Sequence, residues 1–136
     1  MKRCKITAIR KTEYKDLMEK YENPMENACD IEEGQVFIAE GWKRPEGFCE
    51  SAWESISPFV MTLVYGGSDI YEGWMKNKKS AMISCNDGFR PVSFYIEVLE
   101  DENFFRFVVH VLSFLFLFFR FCSLFFVLFL FLLYAW

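Results

Sequence analysis

The chain changes character at residue 103, and that break limits what it can fold into. Residues 104–136 hold 28 of the 72 apolar residues in 33 positions, and 12 of the 17 phenylalanines. The first 103 residues carry the other 44, an ordinary share for a globular domain. About 100 residues suffice for a single core. The expectation is one small domain over residues 1–101, followed by a Phe/Leu-rich hydrophobic tail over 102–136. A multidomain enzyme and a disordered chain are both excluded.

All 19 acidic residues precede Asn103, against 13 Lys and Arg, so the body carries a net charge of −6. Nonspecific phosphate binding needs clustered cations, so nucleic acid is not an expected partner. Lysines 2, 5, 11, 15 and 20 gather near the start, but Glu13, Asp16, Glu19 and Glu22 interleave with them as on a solvated mixed face. The opening Met1–Ile6 lacks the apolar core and cleavage site of a secretory signal. A cytoplasmic domain with reduced thiols is expected.

Hydrophobic periodicity places the elements. Lys2 to Lys11 reads as a strand with Cys4, Ile6 and Ala8 on one face. Thr12 is an N-cap candidate for a helix bearing Tyr14, Leu17, Met18 and Tyr21, ended by Pro24. Gly34 to Glu40 reads as a second strand with Val36 and Ile38 in phase. Trp42 to Phe48, with Pro45 and Gly47, is a loop. From Cys49, residues Ala52, Trp53, Ile56, Phe59, Val60, Leu63 and Val64 trace one helical face. Ser57–Pro58 suits an N-cap and first-turn pair, so two helical pieces with a bend are expected. Gly66–Gly67 stops them, and Ser68 to Lys79 is a loop. Ser80 to Cys85 and Val92 to Glu100 read as a hairpin. Asn86-Asp87-Gly88 between them suits the positive φ of a tight reversal. The sum is an α+β domain: a short sheet with a C-terminal hairpin, two or three helices, and an apolar helical tail.

The tail has two readings. Within Leu117 to Trp136, thirteen Phe and Leu at about −0.3 to −0.6 kcal/mol each outweigh the one Arg at about +2.5 to +3.5 kcal/mol in a bilayer. Leu117 to Trp136 as a helix would run about 30 Å, enough to span. Membrane association through residues 104–136 follows from that reading. The other is a non-native extension. Phe, Leu, Ser, Val and Cys without Ile, Met or Lys is what thymine-rich DNA encodes when read out of frame.

No phosphate loop is present, since no glycine pair is followed by Gly-Lys-Ser/Thr. The sole histidine, His110, lies in the tail, so the body holds no Ser–His or Cys–His nucleophile pair. Its cysteines are Cys4, Cys29, Cys49 and Cys85. They could ligate zinc or an iron–sulfur cluster, but they lack the close CxxC pairs such sites use. Cys4 and Cys85 are in phase with Ile6 and Ile83, as packed small hydrophobes would be. Cys49 is the candidate reactive thiol. A helix start presents unpaired N–H groups and the positive end of its dipole to a sulfur nucleophile, while Glu46, Glu50 and Glu54 oppose it with negative charge. Arg90 could clamp an anion, or pair with Asp87 to hold a turn. Trp42, Trp53 and Trp74 read as core or rim packing.

Five segments, taken in order, carry a resemblance. They are Lys2-Arg3-Cys4-Lys5-Ile6-Thr7, Pro45-Glu46-Gly47-Phe48-Cys49, Ala52-Trp53, Tyr65-Gly66-Gly67 and Cys85-Asn86-Asp87-Gly88-Phe89-Arg90-Pro91-Val92. Residues 2–99 resemble a family of small, uncharacterised prokaryotic proteins with "PEGFC…AW" and "C-x-DG-x-RPV" segments. The resemblance implies a stand-alone domain and a place for Cys29, Cys49 and Cys85 in the pattern, and no established activity. This chain has Asp30 where relatives tend to have Pro, and it continues past the last strand.

Two functions follow as expectations. One is a noncatalytic binding or interaction module whose cysteines only pack. The other is a cysteine-based redox or metal-binding module using Cys49, Cys85 and Cys29. The missing CxxC favours the first.

Overall fold

The computed structural model describes residues 1–26 and 28–99, together with Val108, Val109 and Leu112. Except for those last three, the expected apolar helix of the tail lies outside the described residues. Compactness divides the chain into Met1–Glu100 and Asp101–Trp136. Among the described residues, no helix is long and apolar enough to cross a membrane.

The first unit is α+β, as the periodicity implies. Its elements run β1 (Arg3–Lys11), α1 (Lys15–Tyr21), β2 (Val36–Glu40), α2 (Glu50–Val64), β3 (Ser80–Ser84) and β4 (Val92–Leu99). The strands form one antiparallel sheet in the order β2-β1-β4-β3. The connection through α2 carries the chain from the β2 edge to the β3 edge, and the helix packs on β3, β4 and β1. The core lies between them. Cys4, Ile6 and Ala8 of β1 meet Phe94 and Ile96 of β4 beneath Ile56, Val60 and Leu63 of α2.

Four local readings need correction. In β2 the buried face is Phe37 and Ala39, not Val36 and Ile38. Pairing of Cys4 with Ala39 and Ile6 with Phe37 puts those two on the helix side, and Val36 and Ile38 are exposed. Thr12 does not cap α1. Its N–H is bonded to the Pro91 carbonyl at 3.0 Å, which carries the strand pairing onward and leaves Tyr14 as the cap. The β3–β4 reversal uses no positive φ at Asn86, Asp87 or Gly88. Trp42 is exposed, whereas Trp53 packs on the core and Trp74 on the Tyr71 ring at 5.4 Å.

A fifth correction concerns α2, which is one continuous helix through Pro58. An interior proline costs about 3 kcal/mol or more. Fully burying a Val, Leu or Ile contributes about 1.5–3 kcal/mol, and α2 buries Ile56, Val60, Leu63 and Val64. Burial wins. Pro58 and Glu54, whose carbonyl loses its partner, both lie on the exposed side, where water can bond it. The helix ends in a Schellman motif: Gly67 N–H reaches the Thr62 carbonyl at 2.9 Å and Gly66 N–H the Leu63 carbonyl at 3.0 Å. Gly66 stands at φ +93°, and a Cβ on Gly67 would sit 2.8 Å from the Thr62 carbonyl oxygen.

A bulge in β1 prepares the site. Ala8 pairs with Phe94 but Arg10 pairs with Ser93, so Ile9 is the extra residue. The alternation shifts by one, and Lys11 comes opposite the buried Val92. Lys11 Nζ then donates to the Cys29 carbonyl at 2.9 Å, fixing the α1–β2 loop against β1.

Candidate functional site: a cleft lined by three thiols

The turn Pro45-Glu46-Gly47-Phe48 closes with the Phe48 N–H on the Pro45 carbonyl at 3.2 Å. Gly47 at φ +70° supplies the left-handed third position of a type II turn. The turn drives the Phe48 ring into the core, edge-on to Phe37 at 4.8 Å and tilted against Phe94 at 5.3 Å. The next residue, Cys49, is thereby left exposed as the N-cap of α2, and its side chain makes no capping hydrogen bond.

Cys85 follows β3 directly. Its N–H donates to the Val92 carbonyl at 3.0 Å, and the Val92 N–H donates to Cys85 Sγ at 3.2 Å. A contact between Ser51 Oγ and Asn86 Oδ1 ties the first turn of α2 to the loop that starts at Cys85. Cys29 comes from the α1–β2 loop, anchored by Lys11 and by the buried Ile31.

These three cysteines line one cleft of about 300 Å³. Asp87 and Arg90 line it too, as do Asp30, Ile31 and Phe94. Apart from Cys4, the candidates that the sequence singles out (Cys29, Cys49, Cys85, Asp87 and Arg90) are all on its wall. They converge from the α1–β2 loop, the α2 cap and the β3–β4 loop.

Cys4 is the contrast. It is wholly buried between β1 and the helix, and burial pushes its thiol up to about 11. It packs as a small hydrophobe, in phase with Ile6. Cys85, half-buried, packs against the same core as its phase with Ile83 implies, and it also lines the cleft.

Arg90 does not pair with Asp87. Its two terminal nitrogens grip both oxygens of Glu22, Nη1 to Oε1 at 2.8 Å and Nη2 to Oε2. This fork keeps the guanidinium firmly charged, and Asp87 and Glu13 reinforce it from further away. Asp87 holds the loop by another route: its Oδ1 accepts the N–H groups of Phe89 at 2.7 Å and Arg90 at 2.9 Å. Glu22 is the site residue that sequence reading missed. It stands 68 positions from Arg90, and no local pattern marks that pairing.

Among the described residues, no group of three or more His, Cys, Asp or Glu side chains is gathered so as to hold a metal ion. Comparison with protein-family models, with curated proteins and with solved structures finds no match for this chain.

Proposed function

We propose that the domain is a small-molecule-binding module whose cleft offers thiols to its ligand, with Cys49 as the reactive one. The observation that carries this is the convergence of Cys29, Cys49 and Cys85 on one cleft, while Cys4 is spent in the core. Cys29 and Cys85 also pack against the edge of the core, and Cys49 is the exposed thiol beside them. A cleft of about 300 Å³ is at the small end of ligand pockets. Cys49 is the exposed member, free of a capping bond at the head of a 15-residue helix.

A purely noncatalytic module is the neighbouring reading, and it shares the cleft. A reducing, cytoplasmic setting belongs to the same reading, and the domain's free thiols support it. Attachment to a membrane through residues 104–136 belongs to the same proposal. Timed alkylation of the native full-length chain, followed by peptide mapping, tests the thiol reading. Cys49 should label first and Cys4 only on unfolding. Labelling of Cys4 as fast as Cys49 would sink it.

A further inference from the structure

The charges around the cleft say what kind of ligand its thiols meet. Asp30, Asp87 and Arg90 are the charged side chains on its wall. Arg90 is already matched by the two oxygens of Glu22, which leaves the Asp30 and Asp87 carboxylates. Glu46 and Glu50 flank Gly47 and Cys49 in the chain. Two cations stand behind the wall: Lys11, whose Nζ is bonded to the Cys29 carbonyl, and Arg44, whose Nη1 is bonded to the Phe48 carbonyl at 3.2 Å. Anions outnumber cations, and the body's net charge of −6 adds to the field. The remaining wall includes Ile31, Val92 and Phe94, apolar surface for short alkyl arms.

We propose that the cleft takes a small organic disulfide carrying an ammonium group, and that Cys49 accepts half of it. This rests on the thiol reading above and names its substrate class. In the step, Cys49 Sγ, having lost its proton, attacks one sulfur of the ligand's disulfide. The ligand's S–S bond breaks as a new S–S bond to Cys49 forms. The displaced thiolate leaves and takes up the proton. The exchange needs no further oxidant, because the ligand's disulfide is consumed as the mixed disulfide appears. Asp30 and Asp87 attract the ammonium arm and so raise the local concentration of the cationic disulfide.

The test uses the full-length chain in an uncharged detergent near pH 7. Cystamine and 3,3′-dithiodipropionate serve as cationic and anionic disulfides, each rate divided by that with 2-mercaptoethanol. Adducts are mapped by mass after quenching. Cystamine should react at Cys49 about tenfold faster than the dianion at low salt. The ratio should fall toward one in about 1 M salt, where the Debye length is ~3 Å. Asp30→Asn with Asp87→Asn should lower it about threefold at low salt. Asparagine at 87 keeps an oxygen for the Phe89 and Arg90 N–H groups. Equal normalised rates, or a faster dianion, overturn the charge assignment and leave the thiol reading standing. An adduct on Cys29 or Cys85 instead of Cys49 overturns the choice of nucleophile. No adduct on any of the three with either reagent overturns the thiol reading itself.

Discussion

Glu22 and Arg90 meet oxygen for nitrogen, and through them the end of α1 holds the loop that carries Cys85 and Asp87. Helix α1 buries none of its own residues, so this fork is a principal tie between it and the cleft. Arg90→Lys should loosen it, because a lysine ammonium is a point charge that cannot meet two oxygens at once. The variant should melt at a lower temperature than the parent, and Glu22→Gln should do the same. In a double-mutant cycle the pair should cost less than the sum of its singles. Strict additivity would show that the two side chains do not share an interaction.

What the sequence made legible was the order of the elements. Alternation in β1 and β4 and the helical stripe of α2 are local signals, and they hold because one side of each element faces the core. Phe37 and Ala39 escaped because β2 is a short edge strand with apolar residues on both faces. Only the pairing with Cys4 and Ile6 decides between them. The continuity of α2 escaped because local chemistry favours a break at Ser57–Pro58, and burial on the opposite face overrides it. That Cys29, Cys49 and Cys85 share a wall is written in no local pattern, and the sequence groups them only as an alternative module and through the resemblance. Their separations in the chain are closed by a bulge, a glycine turn and the β3–β4 loop, each acting on a different segment.

Pro58 is a stability reserve. In Pro58→Ala the new N–H can bond the Glu54 carbonyl, and the ring's clash with that turn disappears. The gain is reduced by about 0.4–1 kcal/mol through the greater freedom of the unfolded chain. The net should be a stabilisation of about 2 kcal/mol. Denaturant unfolding measures it as a higher midpoint at unchanged slope. A lower midpoint would mean that the proline fits a local bend that alanine does not.

Cys4 gives the fold an alkaline limit. Its thiol titrates at about 11 in the folded chain against 9.0 as a free group. Between those values the unfolded chain loses this proton and the folded chain keeps it, so the unfolded state is favoured as pH rises. Stability from this source is complete below pH 9 and falls by about 1.4 kcal/mol per pH unit up to about 11. Urea titrations at several alkaline pH values should show the slope, and Cys4→Ala should lessen it. A slope unchanged in that variant would assign the alkaline loss to other groups.

Deleting residues 103–136 should leave the first domain folded. The core cluster of described residues runs from Cys4 to Ile96, with Val98 packed against it. The sheet's last strand ends at Leu99, and β4 is already paired on both sides by β1 and β3. The deleted segment holds 28 apolar residues in its last 33 positions, more than a domain of about 100 residues can cover in water. Residues 1–102 should therefore be monomeric, show α and β signals by circular dichroism, and melt cooperatively. The full-length chain should be recovered with membranes or as aggregate. A truncated chain that is unfolded, beside a full-length chain that is a monomer in water, would make the tail part of the core.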